Sequence, residues 1–274
     1  MPSVLYSSSR GLVEYSYEGK GPVILLLKGG HSSRRTDFSH SSLIFEGYTL
    51  LTISRPGYDQ TEVSAGRSAE EFSDTVIEIL DHLNIDKVSV IAISAAGPTG
   101  IALSVCHPDR VEKLIMEAAL TTTWDDQLKR TAKRLFGRNE KMVWASLRLL
   151  LKLSPNYAIK QLIQWLSTDS ADDFIAGLTP NDRRFISDII MTSSSGKGFL
   201  LDLEHRVPDL REVKVPVLGM YAQKDKSVAY SNATFLQSNV PQCEIYDVPS
   251  NSHLIWIGTQ APQVWNKRLE FLNQ

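Results

Sequence analysis

Three residues of this 274-residue chain have the types that acyl transfer by a nucleophilic serine requires: Ser94, Asp225 and His253. A serine hydroxyl attacks a carbonyl readily only when a base removes its proton. An imidazole does this best when a carboxylate fixes its tautomer and stabilises its charged form. Ser94 directly follows the apolar run Val88 to Ile93, and Ala95-Ala96-Gly97-Pro98-Thr99-Gly100 then opens a helix running to about Cys106. A nucleophile on so sharp a strand-to-helix turn needs small residues two positions before and two after it, where a larger side chain would clash. Ala92 and Ala96 meet that need in place of the more usual glycines. A serine that merely caps the following helix would give the same local pattern, so the reading depends on what surrounds it.

The surroundings supply matching parts. Val23 to Leu27 runs into Lys28-Gly29-Gly30-His31-Ser32, a turn whose backbone amides can face a negative charge. Val217 to Tyr221 leads to Gln223-Lys224-Asp225, and Ile245-Tyr246-Asp247-Val248 leads to the loop Pro249-Ser250-Asn251-Ser252-His253. Ser94, Asp225 and His253 each follow a strand, so all three project from one edge of the sheet, where function sits in open α/β sheets.

The elements that must position these residues are legible as short apolar runs alternating with helical patterns. Val23 to Leu27, Leu50 to Ile53, Val88 to Ile93 and Lys113 to Met116 are near-continuous, as expected for parallel strands covered on both faces. Val13 to Tyr17 alternates more and reads as an antiparallel hairpin partner of the Val23 strand. Ser68 and Glu71 fit a capping box ahead of the stripe Phe72, Val76, Leu80 and Leu83. After Ala119 the pattern is helical only, with breaks at Gly137, Ser154-Pro155 and Thr179-Pro180, and strands return at Val217 and Glu244. A terminal helix spans about Pro262 to Leu272.

At this point the sequence resembles the α/β-hydrolase fold family, over roughly residues 12–120 and 213–273. The chain order Ser, Asp, His is that family's order. Arg55-Pro56-Gly57-Tyr58 is similar to its R-P-G-Y turn, and His107-Pro108-Asp109-Arg110-Val111 to its H-P-x-R-V segment. The resemblance implies a mostly parallel central sheet of about eight strands with helices on both faces. Residues 1–120 and 206–274 would form the core and 121–205 a helical cap inserted in it. It also implies that Ser94 attacks, His253 shuttles the proton, Asp225 orients the imidazole, and the amides of Gly30 and Ala95 receive the oxyanion, with no metal or organic cofactor. Two positions depart from the pattern: Lys28 stands where the family has His, and Ser252 where Gly precedes the catalytic His. Ser rather than Asp at the elbow argues against the alkyl-enzyme chemistry of haloalkane dehalogenases and epoxide hydrolases. Ala95 argues against the iminopeptidase branch, which carries Trp there.

Each candidate has a plainer reading. Asp125 is a rival acid, set below Asp225 because Asp225 lies just past a strand end. His40, His82, His107 and His205 fall at the other end of the fold. His31 is expected to face solvent or bond its loop, contact with substrate being the sharper alternative. Cys106 and the five tryptophans are expected to be packing residues, with Trp124 and Trp144 able to line a pocket.

Charge and composition exclude several partners. With 29 Lys+Arg against 31 Asp+Glu, the chain lacks the basic excess of a nucleic-acid binder. Two cysteines make neither a disulfide framework nor a paired zinc motif, and the serine-rich N-terminus lacks the apolar core of a signal peptide. The expected setting is cytoplasmic, and the expected partner a small acyl compound with an apolar part. Between Asp125 and Lys160, nine Lys/Arg face three Asp/Glu, with Lys129, Arg130, Lys133 and Arg134 forming a basic stripe. A solvated cap is the first reading of that stripe, and a lid that meets lipid or an anionic substrate the second. A catalytically silent ligand-binding or signalling protein, or a lipase or peptidase of the same fold, is the alternative function.

Overall fold

The computed structural model describes residues 3–274, leaving only Met1 and Pro2 of the serine-rich N-terminus outside it. Eight strands form one sheet: β1 (Val4–Ser8), β2 (Gly11–Gly19), β3 (Val23–Leu27), β4 (Thr49–Ile53), β5 (Val88–Ile93), β6 (Val111–Glu117), β7 (Val217–Tyr221) and β8 (Cys243–Asp247). Their spatial order is β1-β2-β4-β3-β5-β6-β7-β8. The β1–β2 and β2–β4 pairs are antiparallel and every other pair is parallel.

The helices are α1 (Ala69–His82), α2 (Gly97–Cys106), α3 (Asp126–Phe136), α4 (Glu140–Leu153), α5 (Pro155–Leu166), α6 (Ala171–Ala176), α7 (Pro180–Thr192), α8 (Gly198–Asp202), α9 (Ser231–Asn239) and α10 (Ala261–Leu272). Six of them, α3 to α8, lie between β6 and β7 in the chain. Period-two alternation splits the strand residues between two cores. Leu25, Leu27, Val90, Ala92 and Leu114 pack on one face with Phe72 and Val76 of α1, Ile101 of α2 and Leu236 of α9. Ile24, Leu26, Ile91, Ile93 and Ile115 pack on the other with Phe271 of α10, Ile163 of α5 and Ile186 of α7. No described helix is long and apolar enough to cross a membrane.

Two expectations are corrected. β2 does not pair with β3: Tyr15 stands opposite Ile53 of β4, which lies between them. The connecting glycines explain this, because a Cβ on Gly19 would sit 2.3 Å from the Tyr48 carbonyl oxygen and one on Gly21 2.2 Å from that of Gly47. Only at glycine can the turn pass so close to the chain entering β4. β1 was not expected at all, since its side chains are mostly exposed at the sheet edge and leave no apolar run to read. At the start of α1, Ser68 Oγ accepts from Glu71 N–H, but the Glu71 carboxylate takes the N–H of Arg67 rather than that of Ser68, so half of the capping box forms.

Candidate active site

Ser94 leaves β5 with φ of +51°, a left-handed conformation that costs a non-glycine residue about 1–3 kcal/mol and persists only where its surroundings fix it. The Ser94 carbonyl accepts from Leu120 N–H at 3.0 Å. A Cβ on Gly97 would lie 2.0 Å from the Leu120 carbonyl oxygen, and one on Gly100 2.7 Å from Ala92 Cβ. The small residues after the serine therefore let α2 close against both β5 and the loop beyond β6.

Asp225 and His253, in the loops after β7 and β8, meet directly. His253 Nδ1 lies 2.6 Å from Asp225 Oδ2, and both side chains are buried. The other carboxylate oxygen, Oδ1, accepts the N–H groups of Ser227 and Val228 at 2.8 Å each, which leaves Oδ2 for the imidazole. Because a carboxylate only accepts, a histidine proton sits on Nδ1, and in the neutral ring Nε2 keeps the lone pair. No hydrogen bond joins Ser94 Oγ to that nitrogen among the described residues; such contacts commonly tighten only around substrate. Ser252, the departure beside His253, has no positive φ, and its Oγ accepts Leu254 N–H to shape the turn, so glycine is not needed there.

The loop after β3 lies against the elbow. A Cβ on Gly29 would fall 2.8 Å from Ser94 Cβ, and one on Gly30 3.4 Å from Ala95 Cβ and 3.1 Å from the Phe199 ring. The Gly30 N–H donates to nothing among the described residues. Lys28, at the unusual position, folds back: its Nζ donates to the carbonyls of Arg34 and Thr36 and clasps the loop. Burial pushes the Lys28 ammonium down to about 8, opposed in part by Asp37 and Asp59. Beneath the loop, Arg55 Nε donates to the Lys28 carbonyl at 2.7 Å while its guanidinium forms a buried pair with Asp202, which also accepts the Tyr58 hydroxyl at 2.6 Å. The R-P-G-Y turn thus holds the loop in place.

Sequence reasoning missed several positioning residues. Leu166 accepts His253 N–H at 2.8 Å through its carbonyl, Ser167 bridges Asp225 and donates to the Asn251 carbonyl, and Thr168 N–H bonds Lys224. Residues 166–168 at the C-terminal end of α5 therefore stitch the loops after β7 and β8 together; so short a stretch carries no sequence signal. Glu117, the last residue of β6, is fully buried among Arg268, His40 and Trp256, all of which donate to it. Those positive and polar partners hold its carboxyl well below the usual range despite the opposing effect of burial. His40 accordingly lies at the C-terminal edge of the sheet rather than the far end.

Other expectations resolve individually. Asp125 caps α3 through Gln127 and Leu128 N–H and is exposed, far from an acid's role. Cys106 is exposed rather than packed, and Trp165 is 49 % exposed. In the basic stripe, Lys133 pairs with Glu204. The described residues contain no cluster of three His, Cys, Asp or Glu able to hold a metal ion.

Comparison with known proteins supplies independent information. Residues 22–257 match the family model described as alpha/beta hydrolase fold. The chain is 33% identical over 270 residues to a Bacillus subtilis (strain 168) protein named uncharacterized hydrolase YcgS, covering 96% of this chain and 95% of that one. It is 24% identical over 264 residues to haloalkane dehalogenase 2 of Mycobacterium bovis, covering 91% and 88%. A solved alpha/beta hydrolase fold protein from Nakamurella multipartita superposes with a TM-score of 0.82 at 22% identity, over 98% of both chains.

Proposed function

Since the chain belongs to the alpha/beta hydrolase fold family, we propose that it is a cofactor-free serine hydrolase of small esters or related acyl compounds. Ser94 Oγ attacks the acyl carbonyl as His253 Nε2 takes its proton, and the Nδ1–H to Asp225 bond stabilises the imidazolium. The amides of Gly30 and Ala95 receive the oxyanion, where one donor is typically worth about 3–4 kcal/mol. Collapse expels the leaving group, which takes the proton from His253, and water then repeats the sequence on the acyl-enzyme.

The observation that carries this reading is the Asp225–His253 bond at the same sheet edge as a positive-φ serine. Phe136, Trp144 and Phe199 from the insertion, which we read as a cap over that edge, give the acyl part an apolar, water-poor surrounding. Ser94 offers no carboxylate with which to displace a halide, so likeness to the dehalogenase is likeness of fold. The two cysteines are unpaired, which supports a reducing, cytoplasmic setting.

Steady-state hydrolysis of p-nitrophenyl butyrate tests the proposal. The wild-type chain should turn over and Ser94→Ala should lose about 10³-fold or more, with no effect of a chelator. Equal rates in the two would refute it.

A further inference from the structure

His31, the residue after the oxyanion glycine, is held by more contacts than a loop histidine needs. Its φ is +60° and its carbonyl accepts Ser194 N–H at 2.8 Å. Three rings from the insertion surround the imidazole: Phe199 at 3.8 Å, Phe136 at 4.3 Å and Trp144 at 5.5 Å between centroids. Phe199 is the same ring that lies over Gly30.

The hydrogen bonds fix where the ring proton sits. Trp144 Nε1–H, which can only donate, bonds the fully buried Ser195 Oγ at 2.8 Å, and that oxygen lies 2.6 Å from His31 Nδ1. Ser195 has no other side-chain partner among the described residues, so its hydroxyl proton must go to Nδ1; the opposite assignment would leave a buried O–H unsatisfied, at about 1–3 kcal/mol. His31 is therefore protonated on Nε2. Burial pushes the imidazole down to about 3, so the ring is uncharged at neutral pH. The Nε2–H has no partner among the described residues, yet, unlike both ring nitrogens of His205, it is not sealed from solvent-accessible space.

We infer that His31 is a specificity-determining residue: its Nε2–H donates to a carbonyl or hydroxyl oxygen on the acyl part of the substrate, selecting oxygenated acyl compounds over plain alkanoyl ones. This rests on the serine-hydrolase reading. The leaving group must face His253, its proton donor, so the portion of substrate lying toward His31 is the acyl portion. A neutral, immobilised donor in an aromatic wall discriminates well, because an acyl chain lacking the acceptor leaves it desolvated and unpaired.

The test compares p-nitrophenyl levulinate with p-nitrophenyl valerate, esters whose acyl chains differ by one keto oxygen. Wild type should prefer the levulinate in kcat/KM. His31→Phe, which keeps a ring between Phe199 and Phe136, should lower that preference about tenfold. Ser195→Ala, which keeps His31 but frees its tautomer, should lower the preference too, and nitrogen NMR of wild type should show His31 protonated on Nε2. Fluorophosphonate labelling separates the two levels of the argument. A labelled wild type with no levulinate preference, a preference unchanged in His31→Phe and Ser195→Ala, or a proton found on Nδ1 overturns the role of His31 alone. A wild type that is not labelled at all removes the hydrolase reading and this inference with it.

Discussion

The Nδ1 of His253 and the Oδ2 of Asp225 are 2.6 Å apart, although the two residues sit in different loops 28 positions apart in the chain. The contact sets the imidazole tautomer, and with it the availability of Nε2 as a base. Asp225→Asn can donate as well as accept and permits the wrong tautomer, so turnover of p-nitrophenyl butyrate should fall about 10³- to 10⁴-fold. Circular dichroism should show the fold intact; a loss under tenfold would mean that Asp225 does not orient a base.

The approach of Gly29 to Ser94 predicts a steric effect. A Cβ there meets Ser94 Cβ at 2.8 Å and the Ile93 carbonyl oxygen at 3.1 Å, neither of them the end of a flexible chain. Gly29→Ala should displace Ser94 and cost about 10²-fold in kcat, together with about 1–3 kcal/mol of stability. Unchanged kinetics would show that the loop can retreat.

Asp202 joins the segment between β6 and β7 to the turn beneath the loop after β3. Asp202→Ala leaves the Arg55 guanidinium buried without its counter-charge and strips Tyr58 of its acceptor. Urea unfolding should show a loss of about 3–5 kcal/mol. A loss below 1 kcal/mol would mean that water or a neighbouring group readily replaces the carboxylate.

Lys28 makes stability depend on alkaline pH. Its proton is released at about 8 in the folded chain, against an ordinary 10.5, because burial disfavours the charge. The unfolded chain therefore binds more protons between those values, and stability rises with pH across that window before levelling off. Lys28→Met removes this titration, so the difference in unfolding free energy between wild type and variant should grow from about pH 8 to 10.5. A pH-independent difference would place the Lys28 ammonium outside the buried clasp.

The sequence showed the central strands because each is buried on both faces and reads as a continuous apolar run, as Val88 to Ile93 does. The placement of Ser94, Asp225 and His253 at one edge was legible for a related reason: each follows such a run, and parallel strands send all their C-terminal ends to one edge. β1 was hidden by its exposed edge position, and the neighbour of β2 by a glycine turn whose geometry depends on a distant backbone. The hydrogen bonds from Leu166 and Ser167 to the histidine loop were beyond reach, because backbone carbonyls and a lone serine look the same whether or not a loop docks on them.

The most direct test of the account is covalent capture. Incubation with a fluorophosphonate followed by peptide mapping should find one adduct, on Ser94, absent from Ser94→Ala and greatly slowed in His253→Ala. A wild-type chain that folds yet stays unmodified, or an adduct on any other serine, would contradict the assignment of Ser94 as an activated nucleophile.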